Sequence, residues 1–338
     1  MILYRKTNSF RLRRFPAPEP PFWCAGAIAP YGARRATPIA LDYAALRATA
    51  AEKADVTVSE NMRDELERTR TLPSPMLIDA AEQAEVVFRR GEDALAICAE
   101  RRIAPLFLTS TRGALPRNAP DDTVIAIAAW PLDLDALAEL FASASGRWGV
   151  AVPVIYPVST APDLLAPLAD LAQQHGATFF AALPLDVDAT ARQSLAQSLD
   201  LDDDTYAMLF HADLEPVQIA TERHIAALAA ERSMADFIVP PRWPERSNWN
   251  GAAMLTLTAS RMIAMDHDLD LAGTIARSAR AVAELDKSIQ RIAEAASLSI
   301  VETLDEISVE MLEEWIATGD SGFARHVNKM WRSKPLSY

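Results

Sequence analysis

Cysteine is scarce in this 338-residue chain: Cys24 and Cys98 are the two, and neither sits in a CxxC pair or beside histidines at metal-ligand spacing. That excludes a disulfide framework and the three-thiolate iron–sulfur site of radical barrels, and it is the usage of a reducing compartment, so a cytoplasmic location is expected. Lysine is scarce too. Lys6, Lys53, Lys287, Lys329 and Lys334 are the full set, and none ends an expected strand, which argues against Schiff-base and pyridoxal chemistry. Glycine numbers 11, with no Gly-rich phosphate loop and no Gly-rich first turn of a dinucleotide fold. No HxH pair follows a first strand, so no metal site is expected, and no organic cofactor can be read from the residues. No run of about 18 apolar residues suggests a membrane span, and MILYRKTNSFRLRRF lacks the apolar core of a secretory signal.

What is present is strongly polarised in charge. Residues 1–35 carry seven Arg or Lys against Glu19, and residues 325–338 carry four with no acid; with a net charge of −13 overall, the body between them carries −23. An acidic body lacks the basic face that phosphate attraction needs, so no nucleic-acid partner is expected. The basic ends can hold an anion or an acidic protein partner, or fold back onto the body. IQRIAEAASLSIVETLDEI has the outline of a helix-turn-helix, but its would-be recognition segment carries Glu302, Asp305 and Glu306, which rejects DNA reading.

The body repeats. The apolar runs within VIAIAAW, VAVPVIYP, TFFAALP, YAMLFHA and DFIVPP close at Trp130, Tyr156, Leu183, His211 and Pro240, spaced by 26, 27, 28 and 29 residues. Helical patterns fill the intervals, as in DLDALAELFASA and APDLLAPLADLAQQHG. Short continuous apolar runs alternating with amphipathic segments are the pattern of parallel strands joined by crossover helices. Upstream, ADVTVSE (54–60), PMLIDA (75–80) and APLFLTST (104–111) continue it, giving eight strands and the expectation of a (β/α)8 TIM-type barrel, irregular in its first three units. ALAICA (94–99) is ambiguous between strand and helix, and TRGALPRNAPDD reads as a loop where a helix belongs. An open doubly wound sheet is the alternative; a leucine-rich solenoid fits the period but not the residues.

Three segments follow. Residues 1–36 are expected to hold a basic hairpin, ILYRK–TNS–FRLRRF, and a Pro-rich connector; residues 37–268 form the barrel; residues 269–338 form a helical extension and basic tail. GAAMLTLTASRMIAMD is a candidate for the eighth barrel helix.

In such barrels the reacting groups lie where strands end. His211 is the expected acid/base group, with Asp213 two residues on and Asp186 as alternative carboxylate partners. Arg112 and Arg242 are expected to clamp a carboxylate or phosphate, since guanidinium presents paired donors. Asn248 and Asn250 open a helix whose free N–H groups favour an anion, while Tyr156, Trp243 and Glu60 line the opening. Each has a plainer reading, as a helix cap or a core-closing ring. Two functions are therefore carried: an enzyme acting on a small anionic or ring-containing metabolite, and a non-catalytic barrel subunit holding a protein partner, or a second copy of itself, through its basic termini and helical tail.

Overall fold

The computed structural model describes residues 11–14, 26–29, 76–79, 94–110, 115–117, 119–129, 133–154, 162–183, 215–241 and 248–333. They divide into two compact units, with the break after Pro241.

The first unit is mixed α/β with a mainly parallel sheet. Its strands are β1 (Arg11–Arg14), β2 (Gly26–Ala29), β3 (Met76–Asp79), β4 (Pro105–Ser110), β5 (Val124–Ala128), β6 (Arg147–Pro153) and β7 (Phe180–Leu183). They lie in sequence order across one seven-stranded sheet. β1 pairs antiparallel with β2, and every later neighbour is parallel. Helix α1 covers residues 94–100, so ALAICA is helical rather than a strand. The crossover helices that follow are α2 (Leu134–Ala142), α3 (Pro162–Gln174) and α4 (Glu215–Glu231).

Register sorts the side chains onto two faces, because residues paired across a parallel ladder share a face. Ile125, Ile127, Trp148, Val150, Val152 and Phe180 form one buried cluster with Leu137 and Phe141 of α2, Leu165, Leu168 and Ala172 of α3, and Ile225 and Leu228 of α4. Burying one such side chain stabilises by about 1.5–3 kcal/mol, and Phe141 and Trp148 add a ring pair with centroids 5.0 Å apart. All three helices therefore cover the same face. The other face is equally buried and made of smaller residues: Leu106, Leu108, Val124, Ala126, Ala128, Ala151, Ala181 and Leu183. Gly149 belongs to it, and a Cβ there would lie 2.5 Å from the Phe179 ring and from the Phe179 carbonyl oxygen. The ring thus takes the space a side chain at 149 would use.

Three of the helices end alike. Ile103 N–H bonds Cys98 C=O, Ala177 N–H bonds Ala172 C=O, and Met234 N–H bonds Ala229 C=O, at 2.8, 2.9 and 2.9 Å. These are Schellman closures, each with a left-handed residue (Arg102, Gly176, Ser233) before a buried apolar one. ICAERRIA, LAQQHGAT and LAAERSMA are their sequence counterparts. The same stop signal is used before β4, before β7 and before Ala235.

Several strand expectations move. FRLRRF does supply a strand, but β1 pairs with Gly26–Ala29, beyond the Pro-rich connector PAPEPPFW, while the other arm of the expected hairpin, ILYRK, lies outside the described residues; four small apolar residues are too short a run to announce themselves. The parallel series thus begins at β2, and β2 pairs directly with β3. The strands expected at 54–60 and 206–212 lie outside the described residues. DFIVPP forms no ladder among the described residues beyond one parallel bridge, Phe179 to Ala235 just before it. Pro240 and Pro241 lack the N–H a ladder needs.

The second unit is helical: α5 (Asn248–Ala264), α6 (Leu269–Glu284), α7 (Ile289–Ala295), a 3-10 turn (Leu298–Ile300), α8 (Glu306–Thr318) and α9 (Gly322–Ser333). Its core gathers Leu255, Met262, Ile275, Val282, Ile289, Leu312, Trp315 and Val327. α5, the candidate eighth barrel helix, belongs to this unit. The basic tail is likewise a packed helix as far as Ser333: Ala324, Val327 and Trp331 are buried while Arg325, His326 and Lys329 face solvent. No helix among the described residues is long and apolar enough to cross a membrane.

Candidate functional site

A parallel sheet brings the C-terminal ends of its strands to one edge. Here that edge carries Asp79 (β3), Ser110 (β4), Ala128 (β5), Pro153 (β6) and Leu183 (β7), and the ladder is prolonged by Ala129 N–H to Ala151 C=O and Val154 N–H to Leu183 C=O, at 2.9 and 3.1 Å. Thr109 is fully buried, Ala129 and Val154 nearly so. The described end of the sheet is therefore apolar apart from Thr109.

Arg112 follows β4 by two residues, and Tyr156 and Asp186 follow β6 and β7 by three. All three lie outside the described residues, as do Glu60, His211, Asp213, Arg242 and Trp243. Asp133, at the start of α2, is an N-cap: its Oδ1 accepts from Ala136 N–H at 3.1 Å.

Asn248 and Asn250 are described, and both belong to the helical unit. The Asn248 amide is taken up by the chain between α6 and α7: Nδ2 donates to Leu285 C=O and Lys287 C=O at 3.0 Å each, and Oδ1 accepts from Ile289 N–H at 2.8 Å. Asn250 is 2 % exposed. Gly251 beside it is a packing residue rather than an anion cradle, since a Cβ would lie 2.8 Å from Ile289 Cδ1 and 3.1 Å from Leu312 Cδ2. The start of α5 is occupied by α7 and α8.

One group, His224, went unremarked in the sequence. His224 on α4 has a buried Nε2 with no hydrogen-bond partner among the described residues, and burial holds its pKa below the ordinary histidine value, with Glu231 opposing and Arg232 reinforcing. Mid-helix, in HIAALAAE, nothing in the sequence marks it. Cys98 is buried, and its thiol is pushed up to about 12 by burial first and Asp122 second, against Arg101. At neutral pH it carries no thiolate, so it is no nucleophile.

The described residues contain no group of three or more His, Cys, Asp or Glu placed to hold a metal ion. No protein-family model matches the sequence, and comparison with curated proteins and with solved structures found no significant match.

Proposed function

We propose that the chain is a (β/α)8-type barrel enzyme that binds a small anionic or ring-containing molecule at the C-terminal edge of its parallel strands and acts on it by acid/base chemistry. The carrying observation is a sequentially ordered, mainly parallel sheet whose crossover helices α2, α3 and α4 cover one face, while the described small residues of the other face are buried as well. A doubly wound sheet reverses its strand order and spreads its helices over both faces. Closing a sheet into a barrel buries its inner face, and it turns the trailing strand ends toward a shared mouth. In this reading closure passes through β1, which occupies the outer edge of β2.

His211 acts as the acid/base group, with Asp213 or Asp186 as its carboxylate. Arg112 and Arg242 clamp the anionic part of the ligand, and Tyr156, Trp243 and Glu60 line the mouth. Benzoate, both anionic and cyclic, and orthophosphate are suitable probes. At a hundredfold excess over Kd a ligand stabilises by about 2.7 kcal/mol, so millimolar benzoate is expected to raise the Tm of the wild type, and Arg112→Gln is expected to lose that rise. Benzoate and phosphate both without effect, or an Arg112→Gln response equal to wild type, refutes the reading.

The second reading, a partner-holding subunit, is favoured by one observation. α9 seats its apolar side in the helical core and presents Arg325, His326 and Lys329 outward.

A further inference from the structure

Helices α8 and α9 follow one another in the helical unit and sort their charges by sign. α8 carries Glu306, Glu310, Glu313 and Glu314 and no basic residue, while α9 carries Arg325, His326, Lys329 and Arg332 and no acid. Some of these groups serve the unit itself. Glu313 accepts from Ser297 Oγ and Leu298 N–H at 2.9 and 3.0 Å, Glu314 accepts from Gly322 N–H at 2.7 Å, and Arg325 pairs with Asp320 at 3.0 Å. Glu306 and Glu310 of α8, and His326 and Lys329 of α9, are exposed, and their side chains make no ion pair or hydrogen bond among the described residues. A solvated helix face usually intersperses both signs, whereas like charges four residues apart, Glu306 with Glu310 and Arg325 with Lys329, repel one another. Each stripe lacks, on its own helix, the charge that would neutralise it.

We infer that α8 and α9 form a self-association surface, on which the acidic stripe of α8 meets the basic stripe of α9 from a second copy of this chain. The spacing matches: four residues advance a helix by about 6 Å, so Glu306 and Glu310 stand as far apart as Arg325 and Lys329. About a twofold axis the contact is made twice, α8 on the second copy's α9 and α9 on its α8. Ile300, 63 % exposed in the 3-10 turn before α8, adds apolar area two residues ahead of Glu302, which is exposed as well. This inference rests on the second reading above, for which it names the partner, and makes no use of the sheet edge.

The test is sedimentation velocity of the full chain at rising protein concentration. The wild type is expected to move from one chain mass to two. Glu310→Lys and Lys329→Glu each set like charges against one another and are expected to weaken the dimer at least about tenfold. Their Tm should be unchanged, since both positions are exposed. An equimolar mixture of the two variants restores opposite charges at both contacts and is expected to recover the wild-type dimer. Glu306→Lys replaces Glu310→Lys if that variant does not fold. The chain carries −13 overall, so salt screens the long-range repulsion between copies together with the local pairs, and charge reversal is the variable that discriminates. A wild type that stays monomeric overturns self-pairing alone and leaves α9 to a different protein. A dimer whose loss in the variants is not repaired by the mixture overturns the pairing of α8 with α9. A dimer that neither variant weakens overturns this inference and, with it, the reading of α9 as the holding surface.

Discussion

The strands of the sheet unit and the helical unit differ in the polar residues they carry. In the helical unit they are spent internally. Asn248 ties down the chain after α6, Ser278 Oγ donates to Asp305 Oδ2 at 2.8 Å, and Thr258 Oγ1 donates to Met254 C=O at 2.9 Å. Arg261, 5 % exposed, donates from Nη1 to Asn328 Oδ1 and lies 6.0 Å from the centroid of the Trp331 ring. The strands β2–β7, by contrast, are nearly free of ionisable groups.

The largest expected effect comes from the two close-packed glycines. Gly149→Ala drives a Cβ into the Phe179 ring and a backbone oxygen, which cannot both retreat. Overpacking of this kind costs about 1–3 kcal/mol, and the loss should appear in urea unfolding of the sheet unit. Gly251→Ala meets the ends of the Ile289 and Leu312 side chains, which can shift, and it gains about 1 kcal/mol of helix propensity. Its net effect should be small. Equal losses at the two sites would break the contrast between a backbone-limited sheet and an adjustable helical core.

Acid should divide the units next. His224 has its folded pKa lowered by burial, so its contribution is present above the unfolded value of 6.5 and is lost as pH falls from there through the folded value. Burial pushes the Asp305 carboxyl up, but hydrogen bonds from Ser308 and Ser278 outweigh it and hold the group below 3.8. Its contribution is present above 3.8 and is lost only as pH falls through that lower range. Unfolding followed from pH 7 to 5 should therefore weaken the sheet unit first, and His224→Gln should flatten that limb. A helical unit that softens first contradicts the assignment.

The smallest effect sharpens the repeat. Arg102 and Ser233 hold left-handed backbone, with φ of 56° and 58°, at positions where Gly176 does the same in α3. Replacing either by glycine removes a strain of roughly 1 kcal/mol, part of which returns as backbone entropy of the unfolded chain. A rise of a few degrees or less in the Tm of the sheet unit is expected, and a fall would show that the side chain is engaged there.

The sheet was legible wherever a long apolar run stood between turn signals. MLID, PLFLTS, VIAIA and FAAL fall inside the stretches that periodicity marks, because a strand buried on both faces leaves no polar alternation to blur it. GAIA was not legible: it is short, follows prolines, and is a strand only because β1 and β3 flank it. ALAICA is a run whose type depends on tertiary partners, and DFIVPP looks like a strand until the missing proline donors are counted. The site was legible in kind rather than in membership. Asn248 reads as a ligand group in sequence and is a backbone clamp in space, because its partners, Leu285, Lys287 and Ile289, lie about forty residues on.

The most direct test of the ligand edge is methyl NMR of the full chain titrated with benzoate. Leu108, Val154 and Leu183, near the C-terminal ends of β4, β6 and β7, are expected to shift, while Leu106 and Val124 at the opposite edge and Ile263 of α5 stay fixed. Shifts confined to Leu106 and Val124, or to the helical unit, would contradict the account.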